Sequence, residues 1–233
     1  MITSPQARRF SFLLVLVLCG CRENIGTESP ESLDGDNHTS ADVHFARGLA
    51  SYRNGDFENA IESFTETLRL NPNHAAAFNN RGSSWRELGE LELAIADYSE
   101  AARLMPSNPD ILYFRGTTYF DACHYDEAIA DFTGAIRLKP DDAVSYNNRA
   151  TAWFLKGDFE KAISDYTEAI QISPNEPRFH LFRGRTWHQI EDYDKAIEDY
   201  DEAIRLDPEL VDAHQDRATA LAAKEVSGTA VDN

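Results

Sequence analysis

From residue 41 to residue 225, small, aromatic and polar positions recur along this chain on one fixed step. Ala60, Ala94, Ala128, Ala162 and Ala196 stand 34 residues apart, each followed by isoleucine, and an aromatic lies four residues further on at Phe64, Tyr98, Phe132, Tyr166 and Tyr200. Pro72, Pro106, Pro140, Pro174 and Pro208 keep the same step, as does a small-residue column at Gly48, Gly82, Gly116, Ala150, Gly184 and Ala218. Fixed self-similarity of this length marks a stacked repeat protein. Within one period the apolar positions follow helical spacing, which in the second repeat predicts helices over 77–88 and 91–104. Asn54-Gly55, Gly89 and Gly157 suit a left-handed residue that closes the first helix of a pair, and the proline beyond the second helix stops it. Small residues such as Gly82 and Ala94 let two helix axes approach, with Trp85 and Tyr98 filling the space beside them.

The succession Phe78, Arg81-Gly82, Trp85, Ala94, Tyr98, Pro106 resembles the tetratricopeptide repeat, and Tyr146, Ala150, Trp153, Ala162, Tyr166 and Pro174 repeat it. The resemblance implies an all-α fold, a right-handed α-solenoid of helix-turn-helix repeats. Five repeats are expected at 41–74, 75–108, 109–142, 143–176 and 177–210. A single hairpin cannot bury its apolar face, but stacked neighbours share a continuous core. Residues 211–225 carry the first-helix pattern through Arg217-Ala218 and Leu221 and are expected to form a capping helix, with a disordered tail at 226–233. Three positions depart from the pattern. Ser51 stands where other repeats place an aromatic, and Cys123 and Glu191 stand where the inter-helix turn has glycine.

A basic column, Arg47, Arg81, Arg115, Arg149, Arg183 and Arg217, faces acids at Asp97, Asp131, Asp165 and Asp199 in the second helices. It reads either as an arginine ladder for anions or as a spine of inter-helix ion pairs, and the second is favoured because buried arginine is normally paired. The formal net charge of −18, from 22 basic and 40 acidic residues, disfavours nucleic acid as a partner, since phosphate binding needs a basic face. Most of the acid lies in second helices, as at Glu58, Glu62 and Glu66, and describes a solvated outer surface.

The first twenty residues differ in kind. Arg8-Arg9 precede an apolar stretch over 10–18 that is too short to span a bilayer, and the run ends in Leu18-Cys19-Gly20-Cys21. A positive flank, a short apolar core and small residues at the cut site describe an export signal over 1–20. Leu18-Cys19-Gly20-Cys21 resembles the lipobox of bacterial lipoproteins, with Cys19 atypical at its position. That likeness implies cleavage before Cys21, lipidation of its sulfur and a lipid anchor in the bacterial cell envelope, on the periplasmic side or the cell surface. Polar residues over 21–40 are expected to form a disordered tether.

Catalytic signatures are lacking. HExxH, a CxxC pair in the mature chain and a phosphate-binding glycine loop do not occur, so neither an enzyme nor a cofactor or metal is expected. His44, His180 and His214 share a packing column with Phe78 and Tyr146, and Cys123 reads as an inert thiol. The family resemblance places the first helices along a concave groove. Directly before the arginine column on those helices the pairs alternate: Asn79-Asn80, Tyr113-Phe114, Asn147-Asn148 and Leu181-Phe182. Asparagine both donates to and accepts from a peptide backbone, and aromatic neighbours add apolar pockets. Asn79, Asn80, Tyr113, Phe114, Asn147, Asn148, Phe182 and Arg178 are therefore the candidate partner-binding residues. The reading is a protein-binding scaffold or adaptor with a protein or peptide partner. The alternatives are a chaperone-like accessory for exported chains and a regulator that positions cell-wall enzymes.

Overall fold

The computed structural model describes residues 38–231, with side chains placed over 40–227. Eleven helices follow one another there: α1 His38–Arg53, α2 Phe57–Leu70, α3 Ala75–Glu87, α4 Leu91–Leu104, α5 Pro109–Asp121, α6 Tyr125–Leu138, α7 Ala143–Lys156, α8 Phe159–Ile172, α9 Pro177–Gln189, α10 Tyr193–Leu206 and α11 Val211–Val231. No strand occurs among the described residues. Each odd-numbered helix packs antiparallel on the even-numbered helix that follows, and each even-numbered helix meets the next odd one. The result is an α-solenoid built of helical hairpins.

The turns explain why hairpins form at these points. Asp56, Asp158 and Asp192 cap the second helices of their hairpins by accepting from the backbone N–H three residues on. Pro109 and Pro177 open α5 and α9 at the first position, where the missing N–H costs nothing. The first helix of every hairpin ends in the same way. Glu90 N–H donates to the Trp85 carbonyl at 2.9 Å and Gly89 N–H to Arg86 at 2.9 Å, and equivalent pairs recur in the other four hairpins. This closure needs a left-handed residue. Gly55, Gly89 and Gly157 supply it at φ 75°, 79° and 81°, while Cys123 and Glu191 are held there at 61° and 65°. The two departures from glycine therefore leave the turn geometry intact, and the strain stays local to those residues.

The core is the alanine and aromatic columns. Ala60, Ala94, Ala128, Ala162 and Ala196 are fully buried, and Phe64, Tyr98, Phe132, Tyr166 and Tyr200 are at most 2 % exposed. At Gly184 an added Cβ would lie 2.7 Å from the Tyr200 ring and 3.2 Å from the Ala196 carbonyl oxygen, so the helix axes are closer there than a side chain allows. Repeat four tolerates Ala150 at the same column, buried against Tyr166.

The arginine column forms an ion-pair spine, the reading favoured from sequence. Arg81, Arg115, Arg149 and Arg183 each grip the aspartate sixteen residues on, with Nε donating to one carboxylate oxygen and Nη2 to the other at 2.7–2.9 Å. Nη1 reaches back to the preceding second helix and donates to Thr65, Ser99, Thr133 or Thr167 at 3.0–3.2 Å. One guanidinium thus ties its own hairpin to the one before it. In the first hairpin Arg47 donates to Ser63. The forked geometry is the strong one for arginine and carboxylate, and for Arg115 the bond to Asp131 raises the guanidinium's affinity for its proton against the opposing effect of burial.

Two boundaries differ from the sequence reading. Helix α1 starts at His38, inside the stretch assigned to the tether at 21–40, because the turn ahead of Ala41 fixes a backbone that is already part of the core. Ala41 is 2 % exposed and its carbonyl accepts from Thr67 Oγ1. Helix α11 runs on to Val231, through most of the residues expected to be a disordered tail. Apolar patterning ends near Leu221, but Ala222-Ala223-Lys224-Glu225 are good helix formers and no proline follows to stop propagation. The signal segment at 1–20, Cys21 and the tether up to residue 37 lie outside the described residues.

Candidate functional site

Successive first helices touch one another, α1 with α3, α3 with α5, α5 with α7, α7 with α9 and α9 with α11, whereas second helices meet only first helices. The array therefore bends with the first helices on its inner side, and their free faces make one continuous surface. Links between neighbouring first helices lie along it. Arg86 on α3 pairs with Asp121 on α5 at 2.8 Å, and Arg185 on α9 pairs with Asp212 and Asp216 on α11 at 2.9 and 2.5 Å.

The candidate residues divide on this surface. Asn79 is buried, 6 % exposed, and its Oδ1 lacks a hydrogen-bond partner among the described residues. Asn80 is half-buried and its amide donates back to the Ala76 carbonyl at 2.7 Å. Asn148, expected on the groove surface, is 5 % exposed instead, and its Nδ2 donates to the Tyr113 hydroxyl at 3.3 Å, bridging α7 to α5. Asn147 donates to Asn148 Oδ1 at 3.1 Å. Phe114 stacks on Tyr98 of the preceding hairpin with ring centres 6.2 Å apart, and Phe182 meets Tyr166 with the rings tilted by 33° and their centres 6.1 Å apart. Phe114, Phe182 and Asn148 thus occupy one column and serve the junction between repeats. A helix turns about 100° per residue, so adjacent members of a pair cannot share a direction. Tyr113 and Asn147, one residue earlier, remain half-buried on the inner side, and so does Arg178 in the first turn of α9.

The structure adds hydroxyl pairs that patterning did not suggest. Ser83 lies 2.9 Å from the Tyr98 hydroxyl and Thr151 3.0 Å from that of Tyr166. Burial pushes both the Tyr166 and Tyr200 phenols well above the usual tyrosine range, so they stay protonated. The signal was present in the 34-residue step: wherever the aromatic column carries tyrosine in repeats two and four, a hydroxyl stands fifteen residues earlier. Of the three column histidines two meet neighbouring groups, while His44 Nδ1 is buried without a hydrogen-bond partner among the described residues. His180 is buried with Nδ1 3.5 Å from Asp199, and His214 Nε2 lies 2.9 Å from the Pro208 carbonyl. Among the described residues no three His, Cys, Asp or Glu side chains converge as a metal site would require, and no helix is long and apolar enough to cross a membrane.

An inner surface of stacked first helices, with interdigitating columns of alanine, aromatic and proline, defines a helical-hairpin repeat protein. The family models agree. Tetratricopeptide repeat models match residues 45–109, 109–142 and 143–176, and a TPR repeat model matches residues 184–224. The chain belongs to the tetratricopeptide repeat family. No curated protein sequence matches it. Solved structures share the fold. A MamA protein is 22 % identical over 73 % of this chain and 93 % of its own, with a TM-score of 0.70. YrrB, described as a TPR protein with an unusual peptide-binding site, is 20 % identical over 77 % of this chain and 92 % of its own at 0.69. A tetratricopeptide repeat protein from Parabacteroides merdae is 19 % identical over 83 % of this chain and 77 % of its own at 0.73.

Proposed function

We infer that this protein is a scaffold that holds a protein partner, as an extended segment, on the inner surface of its repeats, without a catalytic step of its own. The observation that carries the reading is the unspent hydrogen-bonding capacity on that surface. Among the described residues the half-buried Arg178 guanidinium has no acidic partner in a chain of 40 acids, and the half-buried Asn147 stands on the first helix before it. Tyr113 lies between them and α3. A peptide's carbonyls supply the acceptors that the Arg178 guanidinium lacks, and the peptide-binding site ascribed to the similarly folded YrrB supports the same use of the fold. A photo-crosslinking residue placed at Asn147 should capture a partner from the native envelope, and one placed at Glu62 on α2 should not. Capture from Glu62 alone would put the partner on the outer side. Recovery of one folded partner fits a scaffold, while recovery of many unfolded chains fits the chaperone-like alternative.

The same reading sets the array in the bacterial envelope, held by lipid on Cys21. Its support is Leu18-Cys19-Gly20-Cys21 behind a short apolar stretch and two arginines. A palmitate analogue should label the wild type and leave Cys21→Ser unlabelled; labelling of the variant removes the anchor from the reading.

A further inference from the structure

The last helix is attached differently from the other first helices. Where α9 inserts Phe179 against Ala169 and Ile170 of the preceding second helix, α11 inserts Ala213 at the same column. Its fully buried side chains are two alanines, Ala213 and Ala220, which meet Leu181, Tyr200 and Ala203, while Val211, Leu221 and Val226 are exposed. Ion pairs supply further links. Asp212 and Asp216 bind Arg185, Arg217 binds Asp201, and Lys224 binds Asp194. All of these pairs are partly exposed and so open to screening by salt.

Arg185 itself breaks a rule that the other repeats keep. Its column reads Ser83, Thr117 and Thr151 in repeats two to four. Ser83 and Thr151 bond the tyrosine of their own hairpin, and Thr117, whose hairpin carries Phe132, bonds its own helix instead. In repeat five the aromatic is tyrosine again, but Arg185 extends to Asp216 and Asp212, and the buried Tyr200 hydroxyl is left without a partner among the described residues. The hydroxyl that would satisfy the core has been replaced by a cation that reaches across to α11, and one buried donor goes unmet as a result.

We propose that α11 is a releasable end helix, latched to the array by Arg185 through Asp212 and Asp216. When the latch opens, the face formed by Leu181, Trp187, Tyr200 and Ile204 is uncovered at the end of the array, in the repeat after the one that carries Asn147. The device responds to ionic strength and to any acidic group that competes for Arg185.

Hydrogen exchange on the full chain tests this. Raising salt from about 50 mM to about 500 mM shortens the Debye length several-fold and should speed exchange of amides in 211–227 by tenfold or more, while α7–α10 stay protected. Arg185→Thr should produce the same release at low salt. Because the introduced threonine restores the kind of hydroxyl partner that Thr151 gives Tyr166, the variant's remaining array should be at least as protected as the wild type. Asp212→Asn with Asp216→Asn reaches the same open state from the other side and keeps Arg185. The proposal is overturned if α11 keeps its protection in Arg185→Thr and at high salt, or if it is lost only together with α9 and α10. Either result leaves the inner-surface reading standing, since that rests on crosslinks at Asn147.

Discussion

Replacing Cys123 and Glu191 by glycine should stabilise the array, although both substitutions remove a side chain. Each residue is the left-handed closure of its hairpin, at φ 61° and 65°, and both are exposed. An L-residue in this region gives up about 1–2 kcal/mol. Glycine removes that strain but is freer in the unfolded chain, which returns about 0.5–1 kcal/mol. The net gain is about 0.5–1 kcal/mol per site, and two sites in separate, non-adjacent repeats should add. For a chain of this size the double variant should melt about 2–8 °C higher. Cys123 also bonds Tyr125, a contact that pushes the Tyr125 phenol upward, so its loss must be measured separately. Cys123→Ala and Glu191→Ala do this, because they keep the strained Cβ and delete everything beyond it. The stabilisation should appear between alanine and glycine at each position. The reverse experiment is Gly89→Ala and Gly157→Ala, where a Cβ would meet nothing within 4 Å and the backbone stands at φ 79° and 81°. Any loss there is conformational, about 1 kcal/mol. Because repeat arrays can unfold in parts, urea melts should be paired with hydrogen exchange at the affected turn. Equal stability of the alanine and glycine variants at Cys123, or a neutral Gly89→Ala, would refute the reasoning.

Asp131→Ala should cost about 1–3 kcal/mol by urea melt, less than the roughly 3–5 of a fully buried pair, because the Arg115 side chain is 21 % exposed. Arg115→Met with Asp131→Leu should cost less than Asp131→Ala alone, since no charge is then stranded. Gly184→Ala should lower the melting temperature through overpacking worth about 1–3 kcal/mol, with Tyr200 and the Ala196 carbonyl in the way. A thermal melt unchanged by Gly184→Ala would mean that the last hairpin is more loosely packed than its distances imply.

The 34-residue step was enough to specify the hairpins, because each repeat asks the same local question and answers it with the same few residues. Ala94, Tyr98 and Gly82 must pack where they do for any stack of such units to have a core, and the arginine column had to find acids once it was buried. The sequence also contained the charge partners of the spine sixteen residues downstream, and its hydroxyl partners sixteen residues upstream. What the one-dimensional pattern left open was direction. Asn147 and Asn148 are neighbours of one type, yet one lies half-open on the inner side and the other is buried beneath Tyr113, because adjacent helix residues diverge by about 100° and only the neighbouring helix decides which of the two is covered. Phe114 and Phe182 look like groove aromatics until Tyr98 and Tyr166 of the preceding hairpins are placed beside them. Arg185 reads as one more surface arginine until α11 is folded back and brings Asp212 and Asp216 to it. Local geometry follows from the chain's own period, whereas exposure and pairing between repeats depend on which neighbour arrives, and that is settled only when the stack closes.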